Sequence, residues 1–382
     1  MTAGALDGVV VADFSRVLAG PYATMLMADL GAEVIKVERP GTGDDTRAWG
    51  PPWHQEQATY FASVNRNKRS LTLDLQSPDG LTAARQLVAR ADVLVENFKP
   101  GTFDRLGLGY DHLRAQHPGL IYCAITGFGR SVAAEQLPGY DLLVQAVGGL
   151  MSMTGSRSDE PVKVGVALVD VITGLHATVG ILAALAHRSS TGVGQRVEVN
   201  LLSSLLSGMV NQSAGFAAAG FVPGIMGNRH PSIAPYESFP TRDQPFVIAV
   251  GNDRQFRACA SVLGHPEWAD DSRFEKNPLR VQHREALYEL MCAALRERGC
   301  NEWTTALSEV GIPCGPINDL AGAFALAERL GLTPIVDTEG VPTVAHPITL
   351  DATPATYRRR PPKLGEADEE WLAALLQSDG RS

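Results

Sequence analysis

The residue best placed for chemistry in this sequence is a carboxylate inside its most apolar stretch. Between Val164 and Ala186 nearly every residue is apolar or glycine, and Asp170 interrupts this run within the segment "VALVDVITG". An aspartate that precedes a helical run can cap the helix by accepting backbone N–H bonds. A carboxylate flanked by glycine and small residues can also attack an activated acyl group and form a mixed anhydride. The pattern alone leaves both interpretations open.

A second group of candidate residues is basic. Arg39 follows "EVIKVE", Arg47 lies in the next loop, Arg105 follows "ENFKPG", and "NRNKRS" supplies three further cations. One interpretation is a solvated charged face, and the other is contact with a polyphosphate. Arg39 and Arg105 each come after the carboxyl end of a predicted parallel strand, which is where ligands bind in open α/β sheets.

Spacing argues against three other kinds of site. The five cysteines show no C-x-x-C pair and no Cys/His ligand spacing, so we predict free thiols in a reducing compartment and no metal site. Cys314 in "GIPCGP" could be a nucleophile, but flanking proline and glycine are more typical of a rigid turn. The first βα turn, "SRVLAGPYAT", has one glycine instead of G-x-G-x-x-G, which disfavours NAD or FAD although Glu38 lies where an acidic ribose ligand would.

Charge and composition restrict the class of protein. The 382 residues include 33 Lys+Arg and 42 Asp+Glu, a formal net charge of −9, which disfavours a nucleic-acid or anionic-membrane partner. The first residues lack a basic segment followed by a long apolar one, so we expect a cytoplasmic protein. The run around Asp170 is long enough to span a bilayer, but an aspartate near its centre would cost about 2.5–3.5 kcal/mol. We therefore predict no membrane span and a helix that is buried on all sides.

Apolar runs in the first half predict strands that alternate with helices. "GVVVADF" (8–14) and "EVIKVE" (33–38) have the character of buried strands, and the helix between them has Pro21 near its start and Gly31 at its end. The same pattern predicts helices near 79–90 and 110–116 and strands at 92–98 and 120–129. We predict an α/β fold with a Rossmann-like, doubly wound parallel sheet over residues 1–200.

The character of the chain changes after residue 200. Residues 201–224 are predicted to be a linker made of a helix and a Gly- and Pro-rich loop. A strand at 246–251 and mostly helical residues at 253–310 predict a smaller α+β domain over 225–325. The Pro-rich segment 326–382 is predicted to return to the large domain.

Several long segments, in the same order along almost the whole chain, are similar to the family III CoA-transferases of the formyl-CoA and carnitine CoA-transferase type. They are "VLAGPYATMLMADLGAEVIKVERPGTGDDTR", "NRNKRSLTLDL", "VENFKPGTFDRLGLGY", "GYDLLVQAVGGLMSMTG", "VALVDVITG", "TGVGQRVEV", "GNRHPSIAPYESFPT" and "GIPCGPIND". The resemblance implies an enzyme that uses an acyl-CoA donor and a carboxylic acid acceptor, without a permanently bound cofactor. It also implies a homodimer whose subunits are threaded through each other as interlocked rings.

The resemblance implies roles for individual residues. Asp170 matches the nucleophile that forms an aspartyl-acyl anhydride and an aspartyl-CoA thioester, and we expect its helix N-terminus to keep it ionised. Arg39 and Arg105 match contacts to the CoA phosphates. The other positions that match the CoA site are Thr72, Leu73, Leu75, Asn97, Phe98 and Tyr140.

One position separates the branches of the superfamily. The racemase branch moves an α-proton and uses a histidine in a "G-H-D" motif, whereas this sequence reads "PGYD" and has Tyr140 there. The ordinary pKa of tyrosine, near 10, makes it a poor general base at neutral pH. We therefore predict a CoA-transferase, and the alternatives are an α-methylacyl-CoA racemase or epimerase and a non-catalytic acyl-CoA-binding protein.

Departures from the formyl-specific members bear on the substrate. Those members have a glycine-run loop and a glutamine before "AGP", where this sequence has "MGNRHPSIAPY" and Leu18, which argues against formyl or oxalate specificity. Arg229 and His230 are predicted to bind the acceptor carboxylate, and we expect a small dicarboxylate such as succinate. Oxyanion donors are expected among backbone N–H groups of Gly148–Gly149 or of the 227–233 loop.

Overall fold

The computed structural model describes residues 4–367 and residue 373, and the chain divides into two compact units. The first unit contains the residues up to 150, residues 164–221 and the residues from 333 onward. The second contains residues 151–163 and 222–332. Most of the interval 201–224, which the sequence suggested as a linker, lies in the first unit because Leu201 and Leu205 are buried in its core.

The first unit alternates strands with helices, as the apolar runs predicted. Its strands up to residue 221 are β1 (Val10–Asp13), β2 (Glu33–Glu38), β3 (Trp53–His54), β4 (Gln57–Ala58), β5 (Lys68–Thr72), β6 (Val93–Glu96), β7 (Ile121–Thr126) and β8 (Arg196–Asn200). Its helices are α1 (Ala19–Asp29), α2 (Thr59–Ala62), α3 (Pro78–Val88), α4 (Thr102–Arg105), α5 (Tyr110–Gln116), α6 (Asp141–Val147), α7 (Leu168–Thr191), α8 (Leu201–Gly208) and α9 (Val210–Ala219). A 3₁₀ helix spans Asp45–Ala48.

Six of these strands form one parallel sheet in the order β5-β2-β1-β6-β7-β8. The chain runs outward from β1 to β2 and β5, and then returns to β6 and continues outward in the opposite direction. This is the doubly wound topology, whose switch point lies between β1 and β6. The predicted parallel sheet is confirmed.

Apolar layers cover both faces of the sheet, as expected for parallel strands that are buried on both sides. Val11 and Ala12, neighbours on β1, belong to different core clusters because successive side chains point to opposite faces. Helices α1 and α7 contribute to the layer that contains Val11.

Helix α7 is the apolar run that contains Asp170. By length and composition it could cross a membrane, as the core helices of many water-soluble proteins also could. One side of it is buried in the first unit through Val169, Ala177 and Ile181, whereas Leu175 and Val179 are exposed. The prediction of a helix buried on all sides is therefore wrong for this chain by itself, because only one side of α7 faces the sheet.

The second unit has its own core and an α+β organisation. Its strands β9 (Tyr236–Pro240), β10 (Pro245–Ala249) and β11 (Cys314–Pro316) pair antiparallel in the order β11-β10-β9. Its helices are α10 (Asp253–Val262), α11 (Asn277–Gln282), α12 (Arg284–Leu295), α13 (Cys300–Glu309) and α14 (Leu320–Arg329), with 3₁₀ helices at Met151–Met153 and Pro266–Asp270. Burial raises the pKa of the Cys314 thiol, which argues against the nucleophile interpretation of that residue.

The C-terminal segment rejoins the first unit. It forms the antiparallel hairpin of β12 (Ile335–Thr338) and β13 (Val341–Val344) and then follows the surface of the unit up to residue 367. The side-chain oxygen of Asn67 accepts bonds from the N–H groups of Arg358 (2.6 Å) and Arg359 (3.0 Å). Arg66 donates to the carbonyl of Val344 at 2.6 Å. These buried side chains fix the returning segment to the start of β5.

Candidate active site

Two turns meet at the switch point of the parallel sheet. One follows β1 and contains Arg16, and the other follows β6 and contains Asn97. The amide group of Asn97 joins them, since its Oδ1 accepts from the N–H of Arg16 at 2.9 Å and its Nδ2 donates to the carbonyl of Arg16 at 2.8 Å. The crevice between such turns is the expected ligand site of a doubly wound sheet.

A cavity of about 210 Å³ opens between these turns, and we call it the carboxylate cavity. Its lining includes Arg16, Val17, Leu18, Asn97, Phe98, Lys99, Tyr140 and Asp170. The structure therefore brings Asp170 together with Asn97, Phe98 and Tyr140, three of the positions predicted to contact CoA.

A second cavity, of about 230 Å³, lies beside the ends of β2 and β5, and we call it the apolar cavity. It is lined mainly by Phe14, Val37, Leu73, Leu75, Phe98 and Leu106, with Arg16 and Arg39 among its charged residues. Arg16 and Phe98 belong to both cavities. Together the two cavities approach the size of a small-molecule site.

Two of the residues predicted to contact CoA lie beside the apolar cavity and not in its lining. Thr72 ends β5, next to Leu73, and pairs in the sheet with Glu38. Arg105 is exposed at the end of α4, and it donates a hydrogen bond of 3.1 Å to the hydroxyl of Thr102, which does line the cavity.

Asp170 is the third residue of α7, and its side chain does not cap the helix. The cap comes from α6, where Oδ1 of Asp141 accepts from the N–H groups of Val169 (2.9 Å) and Asp170 (3.4 Å). The capping interpretation of Asp170 is wrong, because this residue lies inside the first turn, and the carboxylate that accepts from the N–H groups at the helix start is that of Asp141. Within the described part of the chain, no donor is hydrogen-bonded to the Asp170 carboxylate.

The surroundings of Asp170 disfavour its charged form. Burial raises the pKa of Asp170 to about 7, and the negative charge of Asp141 acts in the same direction. The expectation that the helix N-terminus keeps this carboxylate fully ionised is therefore wrong at neutral pH, because a pKa of about 7 leaves about half of the groups protonated there. A carboxylate that is unpaired and poorly solvated is a stronger nucleophile than one in water.

Tyr60 is a residue of this site that the sequence did not indicate. Burial raises the pKa of its hydroxyl to about 12, and the charges of Asp170, Asp141 and Asp44 add to the effect. Its ring packs edge-on against Trp49, with the ring centres 5.3 Å apart. Tyr60 lies in the four-residue helix α2, which is too short to show a helical spacing pattern, so only the tertiary structure places Tyr60 near the carboxylates.

A glycine sets the distance between α7 and α1. A methyl group at Gly174 would lie 2.6 Å from the carbonyl oxygen of Ala19, which is too close for a side chain. The second turn of α7, which follows the turn with Asp170, therefore sits directly against the start of α1. Leu18 and Ala19 at that start also line the carboxylate cavity.

A buried network of charges supports the turn that follows β1. Lys36 donates to the carbonyl of Ser15 at 2.9 Å and to Asp44 at 2.8 Å. Asp44 in turn accepts from the N–H of Val17 at 3.2 Å. Val17 has a φ of 70°, which is unfavourable for a β-branched residue, so these bonds hold a strained turn in place.

The "NRNKRS" cations are neither a solvated face nor a phosphate site. Lys68 is fully buried and pairs with Asp13 at 3.1 Å, and burial lowers its pKa to about 8. Arg66 is buried against Asp29 at 2.6 Å. Both interpretations are wrong for Arg66 and Lys68, because these side chains are buried in ion pairs with Asp29 and Asp13. The two aspartates lie far away in the sequence, so spacing does not indicate these pairs.

The residues predicted to bind the acceptor lie in the second unit. Arg229 pairs with Glu237 at 3.1 Å and forms two hydrogen bonds with Glu285, so two carboxylates already occupy its guanidinium. The ring of His230 is 5.2 Å from that of Tyr236. Their role in acceptor binding stays a prediction.

One of the expected oxyanion donors lies in the first unit. The N–H of Gly148 donates to the carbonyl of Val144 at 2.8 Å, which makes it unavailable as an oxyanion donor.

The fold and the site together define an α/β enzyme with a half-buried carboxylate in the crevice of a doubly wound sheet. The sequence profile of CoA-transferase family III matches residues 6–368, and the chain therefore belongs to this family. The chain is 41% identical to the succinate–glutarate CoA-transferase of Agrobacterium fabrum, over 97% of this chain and 95% of that protein. It is also 41% identical to the succinyl-CoA:glutarate CoA-transferase of Mus musculus, over 98% of this chain and 87% of that protein.

A solved structure shows the same fold. The crystal structure of a CAIB/BAIF family protein from Brucella suis matches with a TM-score of 0.87 and 41% sequence identity, over 98% of this chain and 100% of that one. Full-length relatives that are named CoA-transferases establish this protein as a CoA-transferase that uses CoA thioesters.

Proposed function

We propose that this enzyme transfers CoA between dicarboxylic acids, with succinyl-CoA as donor and glutarate or a similar acid as acceptor, through covalent intermediates on Asp170. The observation that carries the proposal is the Asp170 carboxylate, half-buried and without a hydrogen-bond partner among the described residues, in the wall of the switch-point crevice. The names of the Agrobacterium and mouse relatives support the choice of dicarboxylates.

The reaction begins with the ionised carboxylate of Asp170. One of its oxygens attacks the thioester carbon of the donor, the C–S bond breaks, and an aspartyl-acyl anhydride and the CoA thiolate result. The thiolate then attacks the aspartyl carbonyl carbon, which forms the aspartyl-CoA thioester and releases the donor as a free carboxylate. Each step exchanges one activated acyl bond for another, so the electrons balance without a redox partner.

The acceptor completes the cycle by the reverse route. Its carboxylate attacks the aspartyl-CoA thioester, which gives a new anhydride and again the thiolate. Attack of the thiolate on the acceptor's carbonyl carbon forms the product acyl-CoA and restores Asp170. Both anhydrides and the aspartyl thioester hydrolyse if water enters, so the apolar packing of α7 against α1 serves the chemistry as well as the fold.

The structural surroundings support specific tasks for the neighbours of Asp170. Asp141 fixes the first turn of α7 and keeps the reactive carboxylate poorly stabilised. Tyr60, protonated at neutral pH, can donate a hydrogen bond towards charge that develops near Asp170. Asn97 holds together the two turns between which the pantetheine arm of CoA would pass.

We further propose that the enzyme works in the cytoplasm as a homodimer of interlocked subunits. The expectation of interlocking comes from the family resemblance. Apolar side chains that the single chain leaves exposed support a second subunit, among them Val179 on α7 and Val210 and Phe216 on α9. A helix such as α9, which buries none of its residues within the chain, needs a partner surface to account for its apolar side chains.

The test is an acceptor screen with labelled succinyl-CoA and a panel of mono- and dicarboxylic acids. We expect transfer to glutarate and other short dicarboxylates, and much slower transfer to monocarboxylates. Transfer confined to monocarboxylates would contradict the proposed substrate class. Incorporation of deuterium from D₂O at the α-carbon, without any acceptor acid, would instead favour a racemase.

The role of Asp170 needs a separate measurement. Asp170→Asn should abolish transfer, and mass spectrometry of the unmodified enzyme during turnover should find the acyl or CoA adduct on the peptide that contains Asp170. Asp111→Asn, at an exposed position on α5, is the matched control and should retain full activity. Full transfer by the Asp170 variant would refute the mechanism and leave the substrate class open to its own test.

A further inference from the structure

Arg16 stands where the two cavities of the first unit meet. It lines both the carboxylate cavity and the apolar cavity, as does Phe98. Its backbone is fixed by the two hydrogen bonds with Asn97, and its guanidinium carbon lies 5.1 Å from the centre of the Phe98 ring. About a third of its side chain is exposed (35%), so a ligand that runs from one cavity to the other would pass it.

One carboxylate lies between Arg16 and the neighbouring Arg39. Asp45 opens the 3₁₀ helix that follows β2, and its two oxygens contact different arginines. Oδ1 is 2.9 Å from Nη2 of Arg39, and Oδ2 is 3.8 Å from Nη1 of Arg16. Both pairs are partly exposed, and the second is long, so each contributes little to stability. The arrangement resembles an anion site occupied by a side chain of the protein itself.

This inference rests on the proposed function, in which CoA is part of the substrate. The chemistry of CoA determines which part of the molecule lies in which cavity. Its adenine ring suits the apolar cavity, and its thioester must reach Asp170 in the carboxylate cavity. The diphosphate lies between these two parts of the molecule, so it must pass the junction of the cavities. The junction offers the guanidinium groups of Arg16 and Arg39, which match phosphate oxygens in geometry and charge.

The family resemblance already implies that Arg39 contacts the CoA phosphates. We propose that Arg16 joins Arg39 in a clamp for the CoA diphosphate, and that Asp45 occupies this clamp in the free enzyme until the diphosphate displaces it. The diphosphate carries two negative charges and several acceptor oxygens, whereas Asp45 carries one charge and holds Arg16 at a distance. A singly charged anion gains too little to displace the internal carboxylate. Asp45 therefore keeps the clamp selective for CoA over small anions.

The test compares three ligands and two variants by calorimetric binding. The ligands are CoA, dephospho-CoA, which keeps the diphosphate, and pantetheine, which lacks it. Arg16→Gln should weaken CoA and dephospho-CoA by about tenfold or more, which corresponds to the loss of one charge-assisted hydrogen bond. Its binding of pantetheine should change by less than about twofold, because pantetheine does not reach the clamp.

Asp45→Asn should have the opposite effect. It removes the competing charge while it keeps the size of the side chain, so CoA and dephospho-CoA should bind several-fold more tightly at low ionic strength. Arg257→Gln is the matched control, since Arg257 is an exposed arginine that also pairs with an aspartate, Asp270, at 3.0 Å. It should alter the binding of none of the three ligands.

Three results would overturn the clamp. They are unchanged CoA binding by Arg16→Gln, an equal loss for pantetheine, which would indicate a general distortion of the site, and weaker CoA binding by Asp45→Asn. A variant of Arg16 that raises only the KM of the acceptor acid would also overturn it. If the unmodified protein transfers CoA and one of these results is found, the clamp alone fails. If the unmodified protein binds no CoA, the proposed function fails with it.

Discussion

At the scale of single residues, the neighbouring carboxyl groups of Asp141 and Asp170 differ in the hydrogen bonds that they accept. Asp141 is hydrogen-bonded to Gln145 at 2.6 Å and to the N–H groups at the start of α7. Burial and the charge of Asp141 oppose the ionisation of Asp170, and within the described residues no donor bonds to its carboxylate. The carboxylate of Asp141 therefore organises the helix start, whereas that of Asp170 is free for the proposed reaction.

The raised pKa of Asp170 predicts a pH dependence. Asp170, the proposed nucleophile, must be ionised to attack, and its pKa is about 7, so kcat/KM should rise as the pH increases through 7. At pH 6 only about a tenth of the plateau rate should remain, as one pH unit below the pKa implies. Asp141→Asn removes the like charge and lowers this pKa, so the rise should move to lower pH. The measurement is kcat/KM between pH 5 and 9 for both proteins.

The variant Asp141→Asn keeps a side-chain oxygen that can still accept from the N–H of Val169, so the start of α7 should persist. A melting temperature close to that of the unmodified protein would verify this. Asp111→Asn, remote from the helix start, should leave the pH profile unchanged. An unshifted profile in Asp141→Asn would show that this charge does not act on the nucleophile.

Some side chains of the site and of the buried ion pairs could be predicted from the sequence, and others could not. Asp170 stood out because a charge inside an apolar run is costly and needs a reason. The burial of Arg66 and Lys68 was not accessible, since isolated basic residues are usually exposed and their partners Asp29 and Asp13 precede them by 37 and 55 positions. Tyr60 was missed because its neighbours in the site come together only in the folded chain.

At the scale of elements, the approach of α7 to α1 determines the position of Asp170, the proposed nucleophile. Gly174→Ala would press a methyl group against the carbonyl of Ala19 and push the first turn of α7 away. We expect a loss of about 1–3 kcal/mol in the free energy of unfolding from overpacking, and about a hundredfold loss in kcat from a displaced Asp170. Denaturant unfolding and steady-state transfer rates measure the two effects.

Gly180→Ala is the matched control on the same helix. A methyl group there would lie 2.6 Å from Cγ1 of Val197, so it overpacks the core as well. It lies six residues further along the helix than Gly174, and ten residues, or about 15 Å, from Asp170. A similar loss of stability with nearly normal kcat is expected. Equal losses of kcat in both variants would show that general destabilisation, and not the position of Asp170, limits the rate.

The predicted elements that were correct share one physical property. The central strands β1, β6 and β7 are mostly apolar because helices cover both faces of the sheet, and β2 was recognised from Val34, Ile35 and Val37 although it also contains Lys36. The strands that went unrecognised, β5 and β8, lie at the two edges and contain charged residues such as Lys68 and Glu198. Edge strands of this kind lack the apolar run on which the prediction depended.

At the scale of the whole molecule, the exposed apolar residues of α7 and α9 predict the oligomeric state. Sedimentation should give a mass of about 82 kDa, twice the 40.8 kDa of one chain. Phe216→Asp places a charge on α9, where the side chain is 60% exposed in the single chain, and should lower the dimer fraction or the solubility. Val310→Asp, at an exposed position at the end of α13, should leave the mass unchanged. A monomer for the unmodified protein would contradict the proposal.

The return of the C-terminal segment has a consequence for the order of assembly during synthesis. Arg66 and Asn67 are translated long before their partners Val344, Thr356 and Arg358, which follow them by 278 to 291 positions. The second unit has its own core and is translated before those partners, so we expect it to fold while the first unit is still incomplete. All six strands of the parallel sheet precede residue 201, so the first unit then lacks only the returning segment, and contacts so distant in sequence make the docking of that segment slow.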